Sequence, residues 1–417
     1  MKIGRFFLNR KDYLYLIMMA GVLLLGYYVR MCFLPDKIAK INILTTFSAV
    51  VLFLNSACHR KHLKKNVFFM VMLSTISFLY IGTQMHNHRS VMNTLLYLVN
   101  LIMPLVIISL DVKPRSAKKI FYMFVVMMDC LVLLMAFMLL IDVITHNKAI
   151  SAFTHLTGDS NMIIFSNPNT GRKASIMGHY LPTAEVYIIY YVIHYYARHR
   201  FKVMYIVSMF ISLIGISMAA SKGGIILIIG LILVFNIKNF KVMLTSMTTL
   251  GIAYASGLFT AVINRFVSSD LTSGRSEMWE YLNKIYDDLT PLVYGHGSES
   301  THWLNQKHEW ASAAFEYPFR AFSYEYGVIF TVLFYILAFV YPCVRLLKEK
   351  RFDHLIGLVA VFTYCNTYNG WVLGYDYMFL YCIFTFVVLN LNEMADYQFL
   401  LRFFPNKICK QVYQYIS

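Results

Sequence analysis

The chain has 417 residues, 59% of them hydrophobic and only 14% charged, and its mean hydropathy is +0.58. A soluble domain of this size cannot hide so much apolar surface, because surface-to-volume scaling forces polar residues outward. The composition excludes a soluble globular enzyme and points to an all-α, polytopic membrane protein, a single integral membrane domain built on apolar segments near 20 residues long. The formal charge of +16 would indicate nucleic acid in a soluble protein, but in a polytopic one Lys and Arg gather in cytoplasmic loops, so no nucleic-acid partner is expected.

The basic N-terminus MKIGRFFLNRK leads into a first span over about 13–34, ending at Pro35-Asp36. Many further spans follow it and it has no small-residue cleavage site, so it reads as an anchor and not a removable signal peptide. A span over 38–58 meets the basic loop HRKHLKKN, one over 67–84 meets the turn MHNHRSVMN, and one over 94–110 meets VKPRSAKK. The span at 120–145 opens onto a first long polar loop, 146–178, with SNPNTGRK at its centre. Spans at 179–197 and 204–220 flank RHRFK, and the second ends in Ser221-Lys222-Gly223-Gly224. A short return at 225–235, the loop NIKNFK and a span at 242–263 lead to the large polar interval 264–326. The last three spans occupy 328–344, 355–371 and 377–391, before a polar tail carrying Arg402, Lys407 and Lys410. The total is about twelve.

Alternation tests this count. It places the N-terminus, HRKHLKKN, VKPRSAKK, RHRFK, NIKNFK, RLLKEKR and the tail on one side, and these hold 24 of the 37 Lys and Arg. The positive-inside rule then puts both termini in the cytoplasm and both long polar loops on the external face. Many Tyr lie near span ends, as an interfacial belt would have them. The seven Cys form no CxxC pair and most lie in apolar segments, which supports neither a zinc site nor a disulfide framework.

The interval 264–326 is where chemistry is expected. Met278, Leu282, Ile285 and Leu289 form an apolar stripe at helical spacing, with Ser273 or Ser276 as cap and Thr290-Pro291 as the stop. This amphipathic helix would lie on the outer membrane surface. Arg265 and Arg275 flank its start, where a planar guanidinium, the helix dipole and free N–H groups together suit an anion. Tyr294-Gly295-His296-Gly297 reads as a flexible turn. His302, His308 and Glu309 match no metal-binding spacing, so no metal is expected. Glu316, just before the next span, would be partly desolvated and so suited to proton transfer, with Glu325 as the alternative. The plainer reading of Glu316 is an interfacial carboxylate paired with Arg320 at i, i+4. Lys222, at the external end of its span, reads by itself as a snorkelling lysine. Arg172 follows NPNTG in the first external loop. Asp129 sits mid-span, where an ionisable residue needs a partner or a task.

Three of these pieces occur together in one family. The span ending in Ser-Lys-Gly-Gly, the segment SGRSEMWEYLNKIYDDLTPLVYGHGSES, and Glu316-Tyr317 followed nine residues on by Gly327 resemble the O-antigen ligase and Wzy polymerase superfamily. The resemblance covers 205–392, in motif order, spacing and sidedness; the first half is similar only as generic spans. Ligases of that family carry His followed by Asn, Ser or Gln where this chain has Glu316-Tyr317, which argues against a ligase and is compatible with a polymerase. The resemblance implies metal-independent, inverting glycosyl transfer on the external face of a bacterial cytoplasmic membrane. The donor would be a polyprenyl-diphosphate-linked oligosaccharide and the acceptor a sugar hydroxyl of a second lipid-linked unit. The product would be capsule, exopolysaccharide or O-antigen. Arg275, Arg265 and Lys222 would neutralise the leaving diphosphate. Glu316 would take the acceptor proton. Arg172, Arg320 and His308 complete the substrate-binding candidates. No cofactor is implied; a chain-length regulator and a flippase are the implied protein partners. A ligase is the runner-up; a lipid-linked-oligosaccharide flippase or other transporter, which would also have about twelve spans, is the alternative from another class.

Overall fold

The structure is a computed structural model of the chain and describes residues 10–57, 63–112, 114–158, 172–237, 240–255, 257, 259–260, 263–264, 267, 274–372 and 375–391. Expectations placed on HRKH, on SNPNTG, on Arg265 and on the C-terminal tail therefore lie outside the described residues. Among the described residues there are helices and turns and no strand.

In chain order the principal helices are α1 (Arg10–Leu23), α2 (Ile43–Ala57), α3 (Leu63–His86), α4 (Val91–Tyr97), α5 (Pro114–Thr145), α6 (Lys148–Thr157), α7 (Tyr180–Ala197), α8 (Lys202–Met218) and α9 (Lys222–Asn236). There follow α10 (Phe240–Ala255), α11 (Arg275–Ile285), α12 (Ser300–Lys307), α13 (Ala311–Ala314), α14 (Pro318–Tyr326), α15 (Val328–Tyr335), α16 (Tyr341–Lys348), α17 (Phe352–Cys365) and α18 (Tyr377–Asn390). Among the described residues, five segments are long and apolar enough to cross a membrane: Asp36–Ser56, Lys64–His86, Val91–Ile108, Ser116–Thr145 and Val328–Lys348. Five shorter apolar helices, α8, α9, α10 (over Met243–Ile252), α17 and α18, accompany them. Bulky apolar side chains cover the exterior, among them Phe78, Leu133, Ile144 and Val203, each about seven-tenths exposed. This inverts the pattern of a water-soluble protein and suits a membrane-embedded one.

Two helices form the centre. Every residue of α18 is buried, and α7 is buried from Pro182 to Tyr195. Around α7 pack α5, α8, α9 and α17; around α18 pack α1, α5, α16 and α17. Aromatic residues dominate these contacts, such as the stack of Tyr195 on Phe235 at 3.8 Å.

The first apolar segment is not one continuous span. It breaks between Leu23 and Tyr27 because Arg30 turns back into the protein. Its guanidinium donates to Leu25 O at 2.7 Å and Ala39 O at 2.9 Å, and forks onto Asp376 at 2.8 and 3.1 Å. Asn42 adds a bond to the same carboxylate at 2.9 Å. A buried ion pair is tolerated only with such complete satisfaction. It staples the N-terminal hairpin to the start of α18.

Candidate functional site

The site is built where α11 meets the turn before α14. The cap of α11 is Gly274 in the left-handed region at φ +80, not a serine. Ser276 lies inside the first turn, and the helix stops at Ile285, short of the expected Thr290. Leu282 is fully buried, Met278 and Trp279 are half-buried against the core, and Ile285 is exposed, so only part of the expected stripe is used.

Arg275 opens this helix and is shared between two acceptors. Its Nη2 forms an ion pair with Glu316. Its Nη1 donates to Thr367 O at 3.1 Å. Its guanidinium lies 5.5 Å from the Tyr317 ring. The expected Glu316–Arg320 pairing is not formed; Glu316 turns to Arg275 instead. Pro318 starts α14, so Glu316 stands in the preceding turn, outside the helical register that an i, i+4 pair needs. Arg320 rests on Trp279 at 4.7 Å and Tyr317 at 5.1 Å, as a guanidinium does on aromatic faces. Its Nη1 is buried with no hydrogen-bond partner among the described residues. Burial lowers its pKa below the usual arginine value. Both guanidinium groups approach the Tyr317 ring, so the unused donor of Arg320 lies on the same ring as Arg275, whose pair with Glu316 is partly open to solvent, 18% and 33% by side chain.

Lys222 lies at the start of α9, beside the turn that holds Thr367. It is the first residue of α9 and is buried, at 7% exposure. Ser221 caps α9, accepting from Gly224 N at 3.2 Å, and its hydroxyl meets Tyr364 OH at 2.9 Å. A Cβ added to Gly223 would stand 3.9 Å from Thr367 Oγ1. Thr367 therefore faces the start of α9 with its side chain and holds Arg275 with its carbonyl.

Other expected residues fall elsewhere. Arg172 donates to Tyr180 OH at 2.9 Å and lies 4.4 Å over that ring, at the start of α7. The residue after Tyr180, Leu181, accepts from Tyr364 OH at 3.1 Å through its carbonyl. His308 is at the opposite end of α11 from Arg275, hydrogen-bonded to Tyr286 OH at 2.9 Å and edge-on to Tyr281. No group of three or more His, Cys, Asp or Glu suited to a metal ion occurs among the described residues. Asp129 finds partners on α7, Tyr190 OH at 3.0 Å and His194 Nε2 at 3.1 Å, and is no part of the site.

The glycine turn is tied to α14 by backbone hydrogen bonds. His296 N donates to Tyr324 O at 2.9 Å and Gly297 N to Glu325 O at 2.8 Å. A Cβ on Gly295 would stand 2.3 Å from the carbonyl carbon of Glu325, so only glycine lets the two backbones meet. Glu325 itself is buried, at 1% exposure. Thr301 Oγ1 donates to its Oε1 at 3.0 Å. The Tyr326 hydroxyl lies near the carboxyl but falls short of hydrogen-bond geometry, and Oε2 has no hydrogen-bond partner among the described residues. Desolvation raises its pKa to about 7. It is closed off from the Arg275–Glu316 pair, which favours Glu316 as the accessible carboxylate.

Sequence reading missed Thr367, Trp279 and Tyr317 as site components, and Glu185 behind them. A backbone carbonyl such as that of Thr367 carries no sequence signature. Glu185 did carry one, an ionisable residue in an apolar span, the signal that drew attention to Asp129. In comparisons with known proteins, no family model matches the chain and no curated protein matches it.

Proposed function

We propose that the chain is a polymerase of lipid-linked oligosaccharide repeat units. In this reading it has about twelve spans, both termini in the cytoplasm, and the 264–326 interval on the external face of a bacterial cytoplasmic membrane. The observation that carries the proposal is the pairing of Arg275 with Glu316, beside the partner-free Nη1 of Arg320 and the buried start of α9. A cationic group next to a carboxylate is what transfer from a diphosphate needs: charge neutralisation on the leaving side, a proton acceptor on the other.

The pair also defines an order of events. An incoming diphosphate competes with Glu316 for Arg275, because a guanidinium binds phosphate by the same parallel fork. Once displaced, the carboxylate is free to take the proton of the acceptor hydroxyl. The acceptor oxygen bonds to the anomeric carbon, the bond from that carbon to the phosphate oxygen breaks, and polyprenyl diphosphate leaves with inversion. Arg275 and Arg320 hold its charge.

The test is made in the native host with Arg275→Ala and Glu316→Gln. Single lipid-linked repeat units should accumulate on the outer face. Accumulation on the inner face would instead identify a flippase, and unaltered polymer length would end the polymerase reading.

A further inference from the structure

Behind the Arg275–Glu316 pair lies a second polar layer. Glu185, in the first half of α7, is fully buried. Its Oε1 accepts from Cys365 Sγ at 3.3 Å and its Oε2 accepts from the Tyr368 hydroxyl. At the other end of the same turn, Tyr364 OH donates to Leu181 O and meets Ser221 Oγ. Thr367, between the two tyrosines, is tied to Tyr364 O by its amide at 2.9 Å and its hydroxyl at 2.7 Å. The Tyr364–Tyr368 turn is thus anchored on α7 through Glu185 and Leu181, on α9 through Ser221, and on α11 through the bond from Arg275 to Thr367 O.

This has a physical consequence for Arg275. A long, partly exposed arginine has many rotamers, and holding one of them costs side-chain entropy. Thr367 O supplies a fixed acceptor for one Nη while Glu316 takes the other. That acceptor is fixed only as well as its turn. A buried carboxylate is expensive unless its oxygens are hydrogen-bonded, and an apolar residue would fill the space more cheaply. At Glu185 both oxygens are spent on this one turn.

We infer that the Tyr364–Tyr368 turn is a clamp that sets Arg275 against the Ser221–Lys222 end of α9, and that Glu185 and Tyr368 are the positioning residues that lock it. The consequence for activity rests on the polymerase reading; the geometric statement does not.

The geometry is tested without any activity. Cys365→Ser keeps a donor toward Glu185 and removes a competing thiol. In that background Gly223→Cys and Thr367→Cys place two thiols across the contact between α9 and the turn. Mild oxidation of membranes should link them, read as the linked peptide by mass spectrometry. Adding Glu185→Gln or Tyr368→Phe should slow the linking several-fold, and an unchanged rate overturns the clamp. Tyr368→Phe removes a single hydroxyl and serves if Glu185→Gln does not accumulate. The positioning role is tested in cells against Arg275→Lys, which should shorten the polymer. Glu185→Gln alone should do the same, and the double variant should be no worse than Arg275→Lys, since both act through one guanidinium. Additive losses would overturn the positioning role. If Arg275→Lys changes nothing, the polymerase reading fails, while the linking rate still decides the clamp.

Discussion

Arg275 and Glu316 form an ion pair across the large polar interval, and the same guanidinium is held from a third element by Thr367 O. A partly exposed pair of this kind adds only about 0–1 kcal/mol to stability. Arg275→Ala and Glu316→Gln should therefore leave the melting temperature of the detergent-solubilised protein nearly unchanged while repeat units cease to be joined. The charge swap Arg275→Glu with Glu316→Arg separates a contact from a function. It should preserve folding and restore no polymer; recovery of polymer would reduce the pair to a structural contact.

Arg320 offers an unused donor above two aromatic rings. Lysine keeps the charge but loses the planar stack and the fork. Farnesyl diphosphate is a suitable probe, and its stabilisation of the purified protein can be read by thermal shift. Arg320→Lys should weaken its binding about ten-fold or more, the scale of one lost charge-assisted bond. Equal binding by wild type and variant would remove Arg320 from the anion site.

The Glu325 carboxyl is raised by burial from 4.5 to about 7. Its folded pKa lies above the unfolded one, so the folded state holds the proton more tightly. The contribution of Glu325 to stability is then fully present below about pH 4.5 and is lost as pH rises through about 7, by an amount on the order of a few kcal/mol. Glu325→Gln mimics the protonated form. Its melting temperature should vary less than that of wild type between pH 5 and 8, and should exceed wild type at the upper end. Parallel curves for the two proteins would contradict the assignment.

Two glycines should respond oppositely to alanine. At Gly295 a Cβ meets the backbone of Glu325 at 2.3 Å, so the turn must move off α14, at a cost of about 1–3 kcal/mol. At Gly223 the nearest atom is the Thr367 hydroxyl at 3.9 Å, and helix propensity favours alanine by up to about 1 kcal/mol. Thermal melting should fall for Gly295→Ala and hold or rise for Gly223→Ala.

Asp376→Ala leaves the buried Arg30 with carbonyl partners but no counter-charge. The expected loss is about 3–5 kcal/mol, seen as poor accumulation in membranes and a lower melting temperature. Near-normal stability would show that the N-terminal hairpin does not depend on this staple.

Hydropathy and residue spacing determined the class of this protein. Both are properties of neighbours along the chain, and each apolar stretch meets a helix in the structure. The amphipathic helix after Gly274 was legible for the same reason, although its ends were not. What only the tertiary structure decided is which distant groups meet. Local spacing matched Glu316 with Arg320, but Pro318 begins a new helix and the carboxylate turns to Arg275. The first span looked continuous, yet Arg30 breaks it to reach Asp376, 346 residues away. Glu185 was passed over, although it is a charge in an apolar run; its ties to Cys365 and Tyr368 follow from how α7 and α17 pack. A buried charge must find a partner wherever the helices bring one, and that choice is made in three dimensions.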